Sequence, residues 1–152
     1  MFIIDFFEQF KGEKVKFYVD MDGVIADYDV GAPKDYDKKR PLYTSIKKLE
    51  EISKMENVEL HILSIARYNS GLEEKNKWLD EFAPFFKKEF RNIITRESND
   101  MKESKVLKTE FVNNIERDGS KIVLIDDDPS IIHSIRKENE DIILLKDTAL
   151  VD

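Results

Sequence analysis

Val15-Lys16-Phe17-Tyr18-Val19-Asp20-Met21-Asp22-Gly23-Val24 is the stretch from which the fold is read. Val15 to Val19 has the composition of a strand, and it runs without a break into Asp20. A second carboxylate, Asp22, stands two positions on, and Gly23 supplies a backbone able to turn sharply. The acids therefore sit at the carboxyl end of a strand.

Working outward, apolar runs and helical periods alternate. Leu42, Ile46, Leu49, Ile52 and Met55 are spaced as one helix face. Val58 to Leu63 reads as a second strand, ending at Ser64. Leu72 to Phe82 reads as a helix with Trp78, Leu79 and Phe82 inward. Asn92 to Thr95 is a short strand, and Leu107, Phe111 and Ile115 mark a helix. Ile122 to Ile125 is a strand ending at Asp126, and Pro129 opens the helix of Ile131, Ile132 and Ile135. Asp141 to Leu145 closes the series. Apolar strands alternating with helices predict an α/β fold, a three-layer Rossmann-like domain around a central parallel sheet. Ligands of such sheets bind outside the carboxyl ends of the strands. Asp20, Ser64 and Asp126 occupy three of those ends.

The 152 residues predict one domain, 1–152. Phe2, Ile3, Phe6, Phe7 and Phe10 fall at helical spacing, so 1–12 reads as an amphipathic helix docked on the core. The longest loop is expected from Asp27 to Lys39. No cysteine is present, which excludes disulfides, zinc-thiolate sites and thiol nucleophiles. No run approaches a membrane span, and the apolar start lacks a basic flank, so a cytoplasmic protein with no membrane partner is expected. No obligate protein partner is evident. The net charge of −7 argues against a tight nucleic-acid binder. An anionic substrate still fits where a cation and a few basic residues converge.

Asp126-Asp127-Asp128-Pro129 gathers three more acids at one strand end. Together with Asp20 and Asp22 they repel one another unless a cation lies between them. Hard oxygen donors suit Mg2+. Asp128 also reads as the cap of the helix begun by Pro129.

These residues resemble the haloacid-dehalogenase superfamily of phosphatases. Its signature is Asp-x-Asp-Gly-[Thr/Val] after the first strand, Ser or Thr after the second, then a Lys, then paired acids. Asp20, Asp22, Ser64 and Asp126-Asp127 match in order and context, and the likeness spans about Lys14 to Leu145. The resemblance implies that Asp20 attacks phosphorus and that Asp22 protonates the leaving oxygen and later activates water. Ser64 would hold the phosphoryl oxygens. Asp126, the Asp20 carboxylate and the Asp22 carbonyl would hold Mg2+, with Asp127 nearby. Lys108 is the favoured catalytic lysine, because Val106 to Phe111 resembles the lysine motif of polynucleotide kinase phosphatase domains. Lys105 is second choice, with Lys102 also in range. Ser64, Arg67 and Lys105 are the candidate substrate contacts.

Two branches compete. Asp20 to Asp27, and Glu74 to Leu79, look like 5'(3')-deoxyribonucleotidases. Those enzymes carry a helical cap between the first two motifs. Here Asp20 and Ser64 stand 44 positions apart, and a crossover helix uses a dozen or more of them. No sizeable cap fits, so the site is expected to be open. This spacing, and Arg96 to Asp100, resemble the polynucleotide 3'-phosphatase domains. The expected function is therefore Mg-dependent hydrolysis of a phosphomonoester on a nucleotide or a nucleic-acid end. Its rivals are a phosphatase of another small or protein substrate and a non-catalytic module on the same fold. His61 and His133 lack metal-ligand spacing. Trp78 reads as core rather than a base-stacking platform, and Arg67 alone as a surface residue.

Overall fold

A strand that is apolar on both faces needs cover on both, and β1 (Val15–Val19) has it. The computed structural model describes residues 2–27 and 36–151. Around β1 lie β2 (Val58–Ala66), β3 (Arg91–Thr95), β4 (Lys121–Asp126) and β5 (Ile143–Lys146). Every pairing is parallel, and the strand order is β3-β2-β1-β4-β5. The chain winds outward from β1 on one side, then returns to wind outward on the other. The crevice where such a sheet reverses its order is the usual ligand site, and β1 borders it.

The pleat sorts side chains to alternate faces. Phe17 and Val19 of β1, Leu60 and Ile62 of β2, and Val123 and Ile125 of β4 join one apolar cluster. Helices α1 (Phe2–Glu8), α2 (Tyr43–Ser53) and α3 (Ser70–Phe82) cover it with Ile3, Phe7, Leu49, Ile52, Trp78 and Leu79. Tyr18, Leu63, Ile122 and Leu124 point the other way. There α4 (Ser104–Asn113) and α5 (Pro129–Glu138) supply Val112, Ile131 and Ile135. The result is the expected three-layer α/β arrangement.

Several boundaries differ from the sequence reading. β2 runs two residues past Ser64, because Ser64, Ile65 and Ala66 keep their ladder partners Ile93, Ile94 and Thr95. β5 starts at Ile143 rather than Asp141, whose carboxylate instead binds Arg117 at 2.7 Å. In α1 only Ile3 and Phe7 are fully buried, and Phe2 is exposed. Of the long loop read from Asp27 to Lys39, residues 28–35 lie outside the described residues, and Tyr36–Lys38 form one 3-10 turn. Among the described residues only that turn and α2 are regular elements between β1 and β2, and neither forms a cap domain. His61 is a packing residue: it stacks on Tyr18 at 4.4 Å and pairs with Glu59 at 2.6 Å. Among the described residues no helix is long and apolar enough to cross a membrane.

The docking of α1 rests largely on Phe7, fully buried with its ring 4.6 Å from that of Phe17. Phe7→Ala is expected to lower unfolding stability by about 3–5 kcal/mol. Urea titration checks this; a loss below about 1 kcal/mol would mean that α1 is not part of the cooperative core.

Candidate functional site

The site begins with the turn after β1. The Met21 carbonyl accepts hydrogen bonds from the amides of Val24, Ile25 and Ala26 at 2.9–3.2 Å. This coil is possible because Gly23 has φ +81°. A Cβ on Gly23 would also collide with the Asp127 carboxylate. Glycine thus lets the turn of β1 and the acids after β4 approach closely.

Asp20, at the end of β1, donates its backbone N–H to the Ile125 carbonyl at 3.1 Å, which sets it level with Asp126. The pleat turns both carboxylates toward α4. Lys108, on the buried side of α4, meets them there. Its Nζ donates to Asp20 Oδ1 at 2.9 Å and to Asp126 Oδ2 at 2.6 Å. Asp126 Oδ1 accepts from the Asp128 amide at 3.0 Å. Asp128 caps α5, accepting from the Ser130 amide at 2.9 Å. Oxygens of Asp20, Asp126 and Asp127 lie within 4.8 Å of one another.

Electrostatics make this group demanding. Burial pushes the Asp20 carboxyl up to about 8 against the pull of Lys108, and Asp126 adds to the rise. Burial alone would disfavour the Lys108 ammonium, but Asp20 and Asp126 outweigh it and hold it charged. Asp127 is raised by burial as well. One ammonium does not balance three carboxylates. A divalent cation would, and the all-oxygen donor set fits a hard cation.

Asp22 belongs to a second set. Its carboxylate binds Lys39 Nζ at 2.7 Å and Lys75 Nζ at 3.3 Å. Lys75 also donates to Ser64 Oγ at 2.6 Å and to the Ile65 carbonyl at 2.9 Å. Burial would raise the Asp22 carboxyl, yet Lys75 and Lys39 reverse that and hold it below the usual range. Burial depresses the Lys75 ammonium, with Asp22 opposing. Lys39 is fixed from behind: the Trp78 indole N–H donates to its carbonyl at 3.0 Å. Tyr36 lies edge-on to Trp78, with both ammonium groups over its ring at 4.9 and 5.1 Å. A cleft of about 360 Å³ opens over Asp20, Asp22, Lys108, Asp126 and Asp127, with Ile65 and Ser104 also in its wall.

The fold therefore brings together Asp20, Asp22, Ser64, Lys108, Asp126 and Asp127. It does not bring in Lys105 or Lys102, which are half-exposed and face Glu103 and Glu110. Arg67 is exposed, directly after the end of β2, and does not line the cleft. The sequence reading missed Lys75 and Lys39. For Lys75 a signal existed: it stands three and four residues before Trp78 and Leu79, on the apolar stripe of α3. A lysine on that stripe has to find a buried partner. Nothing local marks Lys39, which ends a loop and is brought in by Trp78.

No protein-family model matches this sequence, and no curated protein matches it. Solved structures do. A chain of the Pnkp1/Rnl/Hen1 RNA repair complex superposes with a TM-score of 0.67 at 17% identity, over 89% of this chain and 42% of that one. A second structure of the Pnkp1/Rnl/Hen1 complex gives 0.68 at 15%, over 88% and 46%. The N-terminal part of BF1531 from Bacteroides fragilis, which contains a phosphatase domain and is complexed with Mg, gives 0.52 at 15%, over 91% and 37%. This chain thus shares its fold with part of each of the three. This chain spans less than half the length of each of the three.

Because Asp20 is raised toward 8, a bound divalent cation has to displace a proton below that pH. Magnesium affinity is expected to rise with pH from about 6 to 8 and level off above. Calorimetry in two buffers of different ionisation enthalpy reads the proton release directly. Gly23→Ala is expected to weaken this binding, because its methyl displaces Asp127.

Proposed function

We propose that this chain is a magnesium-dependent phosphomonoesterase working through an aspartyl-phosphate, on a nucleotide or a nucleic-acid terminal phosphate. The observation that carries the reading is the bridge from Lys108 to Asp20 and Asp126, with Asp127 completing an oxygen cluster beside it. The matching of the same motifs in sequence supports it, as does the shared fold.

In this mechanism Asp20, Asp126, Asp127 and the Asp22 carbonyl would hold Mg2+. The ion supplies charge neutralisation for the phosphoryl oxygens and the carboxylate. A free Asp20 Oδ attacks phosphorus, and the P–O bond to the leaving group breaks as the Oδ–P bond forms. Asp22 supplies the proton to the departing oxygen. It then takes a proton from the water that cleaves the Oδ–P bond, which regenerates Asp20 and releases phosphate. Ser64 and Lys75 take the phosphoryl oxygens on the α3 side, and Lys108 steadies the nucleophile on the α4 side. Phosphoryl transfer needs mainly such positioning and charge stabilisation. Lys75 and Lys39 favour the ionised Asp22 that the second half-reaction needs, so for the first half-reaction Asp22 has to take up a proton from solvent before the leaving oxygen departs.

Among the described residues nothing stands as a cap over the cleft, which favours a phosphate on a large molecule, since caps enclose small substrates. The occurrence of a similar fold in an RNA repair complex points the same way. The acidic charge keeps mononucleotides in contention.

Phosphate release from nucleoside monophosphates, oligonucleotide 3'- and 5'-phosphates and an aryl phosphate tests the proposal. Turnover should need magnesium and stop with chelator. Asp20→Asn should abolish it while leaving the circular dichroism spectrum intact, and an unchanged rate would overturn the mechanism. Lys75→Met should lower kcat/KM by about 10²-fold or more, the size seen when one preorganised charge-stabilising donor is lost.

A further inference from the structure

Two residues beyond Ser64 the chain leaves β2 at Ala66, and the exposed pair Arg67-Tyr68 follows directly, two residues past Ile65 of the cleft wall. The Arg67 guanidinium carbon lies 5.6 Å from the Tyr68 ring centroid. Tyr68 is 53% exposed, so its other face is open. Several other cations are engaged. Lys39 and Lys75 bind Asp22, Lys108 binds Asp20, Arg40 binds Asp27, and Arg96 donates to the carbonyls of Met101 and Lys102. Among the described residues Arg67 has no carboxylate partner and no acceptor for its guanidinium.

The pair is rigidly seated. The Arg96 amide donates to the Ala66 carbonyl at 2.8 Å and the Glu97 amide to the Arg67 carbonyl at 3.0 Å. The Asn69 amide donates to Glu97 Oε1 at 2.8 Å, and Asn69 Oδ1 accepts from Thr95 and Ser98. The loop after β2 is thereby tied to the loop after β3, with one guanidinium and one aromatic face left facing outward. Three residues of near-extended chain put Arg67 on the order of 10 Å from Ser64, within reach of a group one unit removed from a phosphate held there.

Resting on the phosphatase reading above, we propose that Arg67 and Tyr68 form a subsite for the nucleotide adjoining the terminal phosphate. The guanidinium takes its phosphodiester and the phenol ring stacks on its base. A pre-seated platform loses little conformational entropy on binding, and base stacking on an aromatic ring is tolerant of sequence. The net charge of −7 opposes a long polyanion. Recognition therefore extends one nucleotide from the end and no further.

The test compares a mononucleotide, a dinucleotide and a hexanucleotide, each with a terminal phosphate at either the 3' or the 5' end, beside an aryl phosphate. From mono- to dinucleotide, kcat/KM should rise about tenfold, the scale of one stacked base with its phosphate contact. From di- to hexanucleotide it should change by less than about threefold. Tyr68→Ala should remove the first step, Tyr68→Phe should keep it, and both should hydrolyse the aryl phosphate as the parent protein does. The absence of a step, or an equal loss on all substrates in Tyr68→Ala, overturns the subsite. Affinities of Asp20→Asn for the mono- and dinucleotide, by calorimetry, probe the subsite without turnover. If no substrate is hydrolysed the phosphatase reading fails, while a dinucleotide preference that Tyr68→Ala abolishes still supports the subsite, and equal affinities overturn it.

Discussion

Everything at the rim of this sheet answers to the burial of carboxylates at strand ends. Asp20 and Asp126 are both almost fully shielded from water. Ionised carboxylates there are expensive unless compensated. Lys108 spans the two, which places α4, the end of β1 and the end of β4 under one geometric constraint. Such a bridge is weak evidence of stability, since desolvation of three charges offsets much of the attraction. Its value is positional. It holds one carboxylate oxygen of each acid, while the second Asp126 oxygen is taken by the Asp128 amide.

A second constraint is the pleat. Residues at even positions of β1 and β4 face α4 and α5, so Asp20 and Asp126 share Lys108. On β2 the even positions face the opposite layer with Leu60 and Ile62, so Ser64 meets Lys75 of α3. The two lysines therefore approach the same crevice from opposite sides of the sheet. Two acids of one crevice, Asp20 and Asp22, thereby bind lysines from opposite layers. No single helix could have supplied both.

The sequence carries the fold well, for reasons visible in particular elements. Strand residues 15–19, 122–125 and 92–95 are short apolar runs bounded by polar residues, and the helices have regular apolar periods. The boundaries that slip, at Ser64 and Asp141, depend on ladder partners and on a contact with Arg117, which no local pattern records. The acids of the site are legible because chemistry and turn geometry leave few residue types that serve there. The lysines are harder. Resemblance alone separates Lys108 from Lys105 and Lys102, and the burial of α4 gives the physical reason: only position 108 of the three lies on its inner face. Lys75 stands in plain view on the stripe of Trp78 and Leu79, yet a lysine there is easily read as surface charge until its partner Ser64 is placed beside it. Lys39 depends on long-range contacts and leaves no local trace.

Trp78 is the sole tryptophan in the chain. Its indole is buried, bonded to the backbone of Lys39 and edge-on to Tyr36, one residue layer behind Asp22. The protein thus contains its own optical probe. Emission from that ring senses the seating of the 36–39 segment, and through it the charge state of the crevice, without any label attached.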